Sequence, residues 1–269
     1  MAEARLMLHS GGIEVDRSAL ATVEVPLATA TWFPTSHETV IQSAEAALDA
    51  AGFQIAKARF GLARQGKQMF AALELATPLI DGVALAAGIR NSIDKSFTQE
   101  FVAGSRVFVC DNLAFSTDLT VYRKHTRFGL DRFREALSVA VAKLAEFKVV
   151  ESERIKVLQG TDLEDRDAES LILRAYERGL VTHLTLPGVI KEWRQPSYDD
   201  FQPRTAWSLY NAFTTILSPK AISAPAKHTA VTMALGRLLS PDGLALAPPA
   251  DGNFDIDVTE ADVANLVNN

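Results

Sequence analysis

Residues 53–89 read FQIAKARFGLARQGKQMFAALELATPLIDGVALAAGI, and this stretch decides the fold of the chain. It contains three strand-like runs in close succession, at residues 53–63, 68–77 and 82–89. Residues 64–67 (Arg-Gln-Gly-Lys) have the composition of a hairpin turn, and a longer loop is expected at residues 78–82. The stretch therefore predicts a three-strand antiparallel meander.

A helix is predicted directly before this meander. Thr35 is a suitable N-cap and Glu38 follows three residues later, which is the pattern of a capping box. Apolar residues then recur at helical spacing as far as Ala51, and Gly52 can supply the left-handed stop. Further strands are expected at residues 6–9, 22–25, 106–110 and 119–122, and a short helix or loop at residues 96–102.

The hydrophobic period changes after residue 127. Apolar side chains fall three or four apart from Leu130 to Phe147, which predicts one long amphipathic helix. Thr161 and Glu164 form a second capping-box pattern. Further helices are expected at residues 204–217 and 227–239.

These patterns predict an α+β fold. An antiparallel sheet with a packed helix would occupy the N-terminal half, and the C-terminal half would be helical. The expected regions are a strand-rich part at 1–127, a helical part packed on it at 128–240, and an acidic, loosely ordered tail at 241–269.

The composition limits which cellular compartment and which binding partners can be expected. The chain has 269 residues and a net charge of −6, which excludes a cationic coat over the whole surface but allows a local basic groove. Its single cysteine, Cys110, cannot form an intramolecular disulfide, as is usual in the reducing cytoplasm. Met1 to Gly12 lack the apolar core of a signal peptide, and no apolar run approaches the ~18 residues of a membrane span. We therefore expect a cytoplasmic protein without a membrane partner.

Motifs for the common catalytic sites are missing from the sequence. There is no P-loop, no dinucleotide fingerprint, no HExxH zinc helix and no nucleophile elbow. The five histidines are scattered, so neither a metal site nor a cofactor is predicted. Cys110 and His125 could meet across adjacent strands, but a small buried thiol beside a surface base is the favoured interpretation.

Two groups of basic residues stand out. Residues 50–73 contain four cations and no acid, which is typical either of a hairpin that holds a phosphate backbone or of a solvated sheet face. Arg123, Lys124 and Arg127 come just before the long helix, where cations oppose the helix dipole. They indicate either an anionic ligand or pairing with Asp118 or Asp131.

Polar residues also interrupt apolar surroundings at residues 90–96 and at Asp111–Asn112. Buried polar groups need hydrogen-bond partners, so these insertions indicate either an internal polar network or a site.

Several of these strings resemble a known family. They are Leu8–Gly12, Gly88–Ser92, Asp94–Ser96, Val107–Leu113, Arg123–Thr126 and Arg204–Thr214. Over the chain up to about residue 217 they are similar to the phage- and plasmid-related family of unknown function of the DUF nine-three-two type. The resemblance implies a mobile-element context in bacteria and brings no catalytic residues.

The order of the elements carries a second resemblance. A helix, a three-strand meander with a basic hairpin and a further helix resemble the core of the Rad-type single-strand annealing proteins. This resemblance implies a homo-oligomer, in a ring or filament, that holds single-stranded DNA in a cationic groove.

The leading hypothesis is a non-enzymatic protein that binds nucleic acid, with single-stranded DNA as the expected ligand. Phe60 or Phe70 would stack on bases. The expected phosphate contacts are Lys57, Arg59, Arg64, Lys67, Arg90, Arg123, Lys124 and Arg127.

Two alternatives remain open from the sequence. One is a protein–protein interaction module, such as a phage factor acting on a host defence complex, which the acidic balance and the acidic tail favour. The other is an enzyme with a polar site formed by Arg90, Asp94, Asp111 and His125.

Overall fold

The computed structural model describes residues 12–107, 113–217 and 225–245, and it has an α+β fold. A six-stranded antiparallel sheet lies in the N-terminal half and helices make up the C-terminal half, as predicted. The strands are β1 (Ile13–Val15), β2 (Ile55–Ala63), β3 (Gln68–Ile80), β4 (Val83–Ser92), β5 (Gln99–Val107) and β6 (Leu113–Arg123). The helices are α1 (Arg17–Ala21), α2 (His37–Ala50), α3 (Gly129–Ala142), α4 (Leu144–Gln159), α5 (Asp165–Glu177), α6 (Leu186–Arg194), α7 (Ala206–Leu217), α8 (Pro225–Leu238) and α9 (Pro241–Ala245).

The chain divides into two compact units. The first comprises Met1–Arg154 and Leu217–Thr229, and the second comprises Ile155–Ile216 and Ala230–Asn269. The division differs from the boundary predicted at residue 127, because α3 packs against β6 and α2 and so belongs with the sheet. Most of the tail predicted at 241–269 lies outside the described residues.

The sheet of the first unit is a simple meander. Its strands are ordered β1-β2-β3-β4-β5-β6, and each is antiparallel to its neighbours. The predicted turn between β2 and β3 is confirmed, and Arg64, Gln65 and Gly66 adopt φ values of 52°, 57° and 82°. This left-handed run reverses the chain tightly, so Ala63 and Gln68 pair directly.

Three strand predictions need correction. β3 continues through Pro78 to Ile80 instead of ending in a loop, and Pro78 lies between two register shifts, where a missing amide donor is tolerated. Residues 96–102 were expected to be helix or loop, but β5 begins at Gln99 because it pairs with strands on both sides. Residues 22–25 form no strand, since β1 occupies the sheet position beside β2.

Helix α2 begins one residue later than predicted. Ser36 is the N-cap, and its hydroxyl accepts a hydrogen bond from the amide of Thr39 at 3.1 Å. The predicted stop at Gly52 is confirmed by its φ of 81°. The apolar stripe of the helix is buried and contains Val40, Ile41, Ala44 and Leu48.

The long helix predicted from residue 130 to 147 is two helices. α3 ends at Ala142 with Lys143 as its C-cap, and α4 starts at Leu144, which is fully buried. The predicted cap at Thr161 is also wrong, because its hydroxyl donates back to the carbonyl of Val157 and α5 starts after Glu164.

The two faces of the sheet differ in what covers them. On one face, here called the helix-covered face, Ile89 and Phe101 are buried, and Asn91 contacts His37 of α2. The opposite face carries ion pairs between neighbouring strands and is called the ion-pair face. The apolar centre of the ion-pair face is a buried cluster of Ala63, Phe70, Ala86 and Val102. Phe97 packs against this cluster.

The second unit has its own core. Trp193 of α6 is buried, and its indole N–H donates to a carboxylate oxygen of Asp165 at 3.1 Å. The guanidinium of Arg204 lies 4.7 Å from the Trp193 ring, and the carbonyl of Arg204 accepts from the amide of Leu163 at 2.8 Å. These contacts hold the start of α7 in place. None of the helices described in either unit is both long and apolar enough to cross a membrane.

Candidate nucleic-acid interface

One end of the sheet gathers most of the predicted basic residues. The strand register places the end of β2, the start of β3, the end of β4, the start of β5 and the end of β6 side by side. The turn at residues 64–67, the loop at 93–98 and the segment at 124–128 therefore protrude from this same end. We name the cations on these segments, together with Arg123 at the end of β6, the basic end; they are Arg64, Lys67, Lys95, Arg123, Lys124 and Arg127.

Local backbone geometry positions these cations. Lys95 has a φ of 68°, and the amide of the next residue, Ser96, donates to the Asp94 carboxylate at 3.0 Å, so the loop reverses sharply there. At the other side, Gly129 opens α3 in close contact with the carbonyl of Lys124, from which a Cβ atom would be only 2.3 Å away. Glycine is therefore required where the basic segment enters the helix.

None of the six cations forms an ion pair with a described residue. Arg123 donates instead to the backbone carbonyl of Tyr122 at 2.8 Å. Asp131, one of the two predicted intramolecular partners, lies 4.0 Å from Arg134 and pairs with none of the six. The side chain of Asp118 lies outside the described residues.

Three of the eight predicted phosphate contacts lie away from the basic end. Arg59 and Arg90 are on the ion-pair face, where they pair with Glu14 at 3.1 Å and with Glu100 at 2.6 Å. Lys57 is exposed near the start of β2, at the opposite end of the sheet from the basic end. Strand alternation explained the spacing of these residues, but the acids that pair with the arginines come from neighbouring strands.

Two aromatic side chains accompany the basic end. Trp32 is half-buried, and the Lys95 ammonium lies 4.9 Å from the centre of its ring. Phe128 is 57% exposed, with the Arg127 guanidinium 5.7 Å from its ring. Phe60 and Phe70, which were expected to stack on bases, are both buried and cannot do so.

One acid lies among these cations. Asp94 accepts hydrogen bonds from Ser96 and from the side-chain amide of Gln68. Partial burial opposes ionisation, but these hydrogen bonds outweigh it and hold the pKa of Asp94 below its usual value. Asp94 therefore shapes the loop as a carboxylate and partly offsets the charge of the basic end.

A buried polar network lies beneath the basic end. The amide nitrogen of Asn91 donates to the carbonyl of Thr35 at 2.9 Å and to Nδ1 of His37 at 3.0 Å. Nε2 of His37 then donates to the carbonyl of Gly66 at 2.8 Å, and the Thr35 amide donates to Nδ1 of His125 at 3.4 Å. The network ties the start of α2 to the β2–β3 turn and to the segment after β6, so it fixes the segments that carry the cations.

Both histidines of the network are neutral at physiological pH. Burial lowers the pKa of His125 to about 4, with a smaller contribution from the nearby His37. Burial also lowers the pKa of His37, although its hydrogen bond to Gly66 acts in the opposite direction. His125 is therefore a buried structural base, which corrects the expectation of a surface base.

The proposed enzyme site is not assembled from its described members. Arg90 projects from the ion-pair face, whereas His125 lies by Thr35 on the helix-covered side of Asn91. Asp94 is bound within its own loop, and Asp111 and Cys110 lie outside the described residues. In the part of the chain that is described, no group of three or more potential metal ligands comes together.

The sequence predicted five of the six cations and missed Lys95, Trp32 and Phe128. Lys95 stands in the polar string at 90–96, which drew attention for its buried groups rather than for charge. Trp32 and Phe128 lie outside the predicted strands and helices, and no sequence motif marks either of them.

Comparison with known proteins adds no relative from which a function could be inferred: no family model, curated protein or solved structure matches this chain.

Proposed function

We propose that this protein binds single-stranded nucleic acid, with single-stranded DNA as the expected ligand, and that it does so at the basic end. The observation that carries the proposal is the position of six cations, five on three neighbouring loops and Arg123 at the end of β6, with no ion pair to any described residue. Cations that form no ion pair with a described residue are available to replace the counterions of a phosphate backbone.

The start of α3 supports an anionic ligand at the same place. No side chain caps the N-terminus of this 14-residue helix, and Asp131 is the only acid in its first turn. The N-terminus of a helix carries partial positive charge. Arg123, Lys124 and Arg127 lie just before it and oppose the helix dipole, so a bound anion would relieve their mutual repulsion.

Trp32 and Phe128 favour single strands over duplexes. Aromatic rings stack on bases that are not already paired, and each stacked base contributes about 1–3 kcal/mol. Stacking is tolerant of sequence because every base has an aromatic face. We therefore expect weak sequence preference and tighter binding of single strands than of duplex DNA.

The ion-pair face is a poor alternative surface for the same ligand. Its described arginines are paired, including Arg106 with Glu74 in addition to the pairs of Arg59 and Arg90. Opening one of these pairs would leave a carboxylate facing the phosphates. At the basic end no ion pair with a described residue has to open, although the carboxylates of Asp94 and, at the start of α3, Asp131 lie nearby.

A fluorescence-anisotropy titration with a labelled oligonucleotide at low salt tests the proposal. We expect saturable binding of single-stranded DNA and weaker binding of the matching duplex. Trp32→Ala and Phe128→Ala should each weaken binding of the single strand about 5- to 150-fold, as expected for loss of one stacked base. Tyr176→Ala is the matched control, since Tyr176 is an exposed aromatic residue on α5.

Absence of binding to the single strand at low salt would refute the proposed function. Equal losses in the Trp32, Phe128 and Tyr176 variants would remove the stacking contribution from it.

A further inference from the structure

Three buried side chains beneath the basic end carry polar atoms that lack a partner. Asn91 and Gln99 are fully buried, and His125 is only 5% exposed. Oδ1 of Asn91, Nε2 of His125 and both polar side-chain atoms of Gln99 form no hydrogen bond with any described residue. Buried polar groups in folded proteins are almost always paired, so these atoms need an explanation.

The sheet register places two of these side chains next to each other. β4 and β5 pair Arg90 with Glu100, so the next pair along the two strands is Asn91 with Gln99. Directly opposed residues of antiparallel strands point to the same face, with Cβ atoms about 4.5–5.5 Å apart. That face is the helix-covered face, because Asn91 contacts His37 of α2 there.

Thr35 brings the imidazole of His125 to the same place. The carbonyl of Thr35 accepts from the side-chain amide of Asn91 at 2.9 Å, and its amide donates to Nδ1 of His125 at 3.4 Å. Gln99 approaches from the other side, since it pairs with Arg123 of β6, which stands two residues before His125. The three side chains therefore border one position where β4 ends, β5 begins and β6 ends.

The observed hydrogen bonds determine which of these atoms donate and which accept. Nδ1 of the neutral His125 accepts from the Thr35 amide, so the ring proton is on Nε2, which is a donor. The amide nitrogen of Asn91 donates to Thr35 and to His37, so its unpartnered Oδ1 is an acceptor. Gln99 offers both a donor and an acceptor. Donors and acceptors of hydrogen bonds thus lie side by side in the site.

This combination of groups selects the kind of ligand. A cation would meet the proton on Nε2 of His125, and an anion would meet the Oδ1 oxygen of Asn91. A neutral molecule that both donates and accepts can satisfy all of these groups. Water is the smallest such molecule, and a buried water typically makes about three hydrogen bonds to polar groups of this kind.

We propose that Asn91, Gln99 and His125 form a binding site for one buried water molecule. The water accepts from Nε2 of His125, donates to Oδ1 of Asn91 and bonds to the side-chain amide of Gln99. It connects β5 to the polar network, because the Gln99 side chain has no direct hydrogen bond to a described residue. The water therefore ties β5 to the segment that carries Lys124 and Arg127. The site does not depend on the proposed binding of nucleic acid.

Replacing Gln99 by leucine distinguishes a water-filled site from a dry one by the sign of the effect. In a dry site, Gln99→Leu removes unpaired polar groups and leaves stability unchanged or raises it. In a water-filled site, leucine displaces the water and leaves Asn91 and His125 unpaired. The folding equilibrium constant from urea denaturation should then fall about 5- to 150-fold. Gln42→Leu, at an exposed glutamine of α2, is the control and should change the constant about threefold or less.

Nuclear magnetic resonance of the unmodified chain with isotope-labelled histidines tests the site directly. The signals of His125 are identified by their loss in His125→Gln. Its Nε2 should be the protonated ring nitrogen, and the proton on it should exchange slowly and show a nuclear Overhauser effect to water.

Several results would overturn the proposal. They are protonation of His125 at Nδ1, an Nε2 proton that contacts only protein or exchanges too fast to be observed, and a Gln99→Leu variant at least as stable as the unmodified chain. These measurements are made without nucleic acid, so their outcome is separate from that of the binding titration.

Discussion

Neutralising three cations of the basic end should change how binding depends on salt. For single-stranded nucleic acid, the logarithm of the binding constant falls with the logarithm of the salt concentration with a slope of about −0.7 per phosphate contact. Six contacts give a slope of about −4, which is a loss of about 300-fold in affinity for a fourfold increase in salt. The triple variant Arg64→Gln, Lys67→Gln and Lys95→Gln retains three contacts, so its slope should be about −2 and its loss about 20-fold.

The measurement is a series of anisotropy titrations at four or more salt concentrations. Lys57→Gln is the matched control, because Lys57 is an exposed lysine of the same sheet that lies away from the basic end. Its slope should equal that of the unmodified chain. The three substituted side chains are exposed and form no ion pair with a described residue, so the unfolding transition should be unchanged.

Two results would refute this reasoning. If the triple variant kept the slope of the unmodified chain, the phosphates would contact another surface. If Lys57→Gln reduced the slope as much per charge as the triple variant does, binding would follow total charge instead of the geometry of the basic end.

Three further predictions concern the stability of the segments that carry the cations. In urea denaturation, Gly129→Ala should lower the free energy of unfolding by about 3 kcal/mol or more, because the new Cβ would overlap a backbone carbonyl. Gly160→Ala is the control: its Cβ would make only ordinary contacts, so it should change the free energy of unfolding by less than about 1 kcal/mol. Asn91→Leu should cost about 2–4 kcal/mol, since two buried acceptors lose their donor; a loss below about 1 kcal/mol would show that the network is dispensable. The pKa of His125 is about 4 in the folded chain, below the ordinary value of 6.5 for the unfolded chain. Between pH 6.5 and pH 4, His125 is therefore protonated in the unfolded chain and neutral in the folded chain. Stability should therefore fall as the pH drops from about 6.5 to 4, and calorimetry should show a smaller fall for His125→Gln; equal falls would exclude His125 as a contributor.

Local sequence patterns were sufficient to predict those elements that depend on residues a few positions apart. The helix before the meander, the left-handed stop at Gly52 and the turn at residues 64–67 depend on caps, periodicity and turn residues within a few positions. Most of β5 was missed, apart from its last two residues, because its evidence is not local. Residues 99–107 become a strand through pairing with β4 and β6, and no pattern within them records that pairing.

The site was predicted in part for the same physical reason. Exposed cations in turns have no obligatory partner, so their presence in a loop was enough to locate Arg64 and Lys67. The role of Arg59 and Arg90 depended on Glu14 and Glu100, which come from neighbouring strands. Charge along a strand therefore could not distinguish a binding residue from one member of an ion pair.

The spacing of the strands has a consequence for the length of nucleic acid that one protomer covers. Each of the five strands from β2 to β6 has one of its two termini at the basic end. Neighbouring strands lie about 4.8 Å apart, so a ligand that crosses all five at right angles spans about 19 Å. Phosphates about 3.4 Å apart along a stacked strand would then give a footprint of about six nucleotides. The hydrogen-bonded backbone sets this length, so it should be the same for every base sequence.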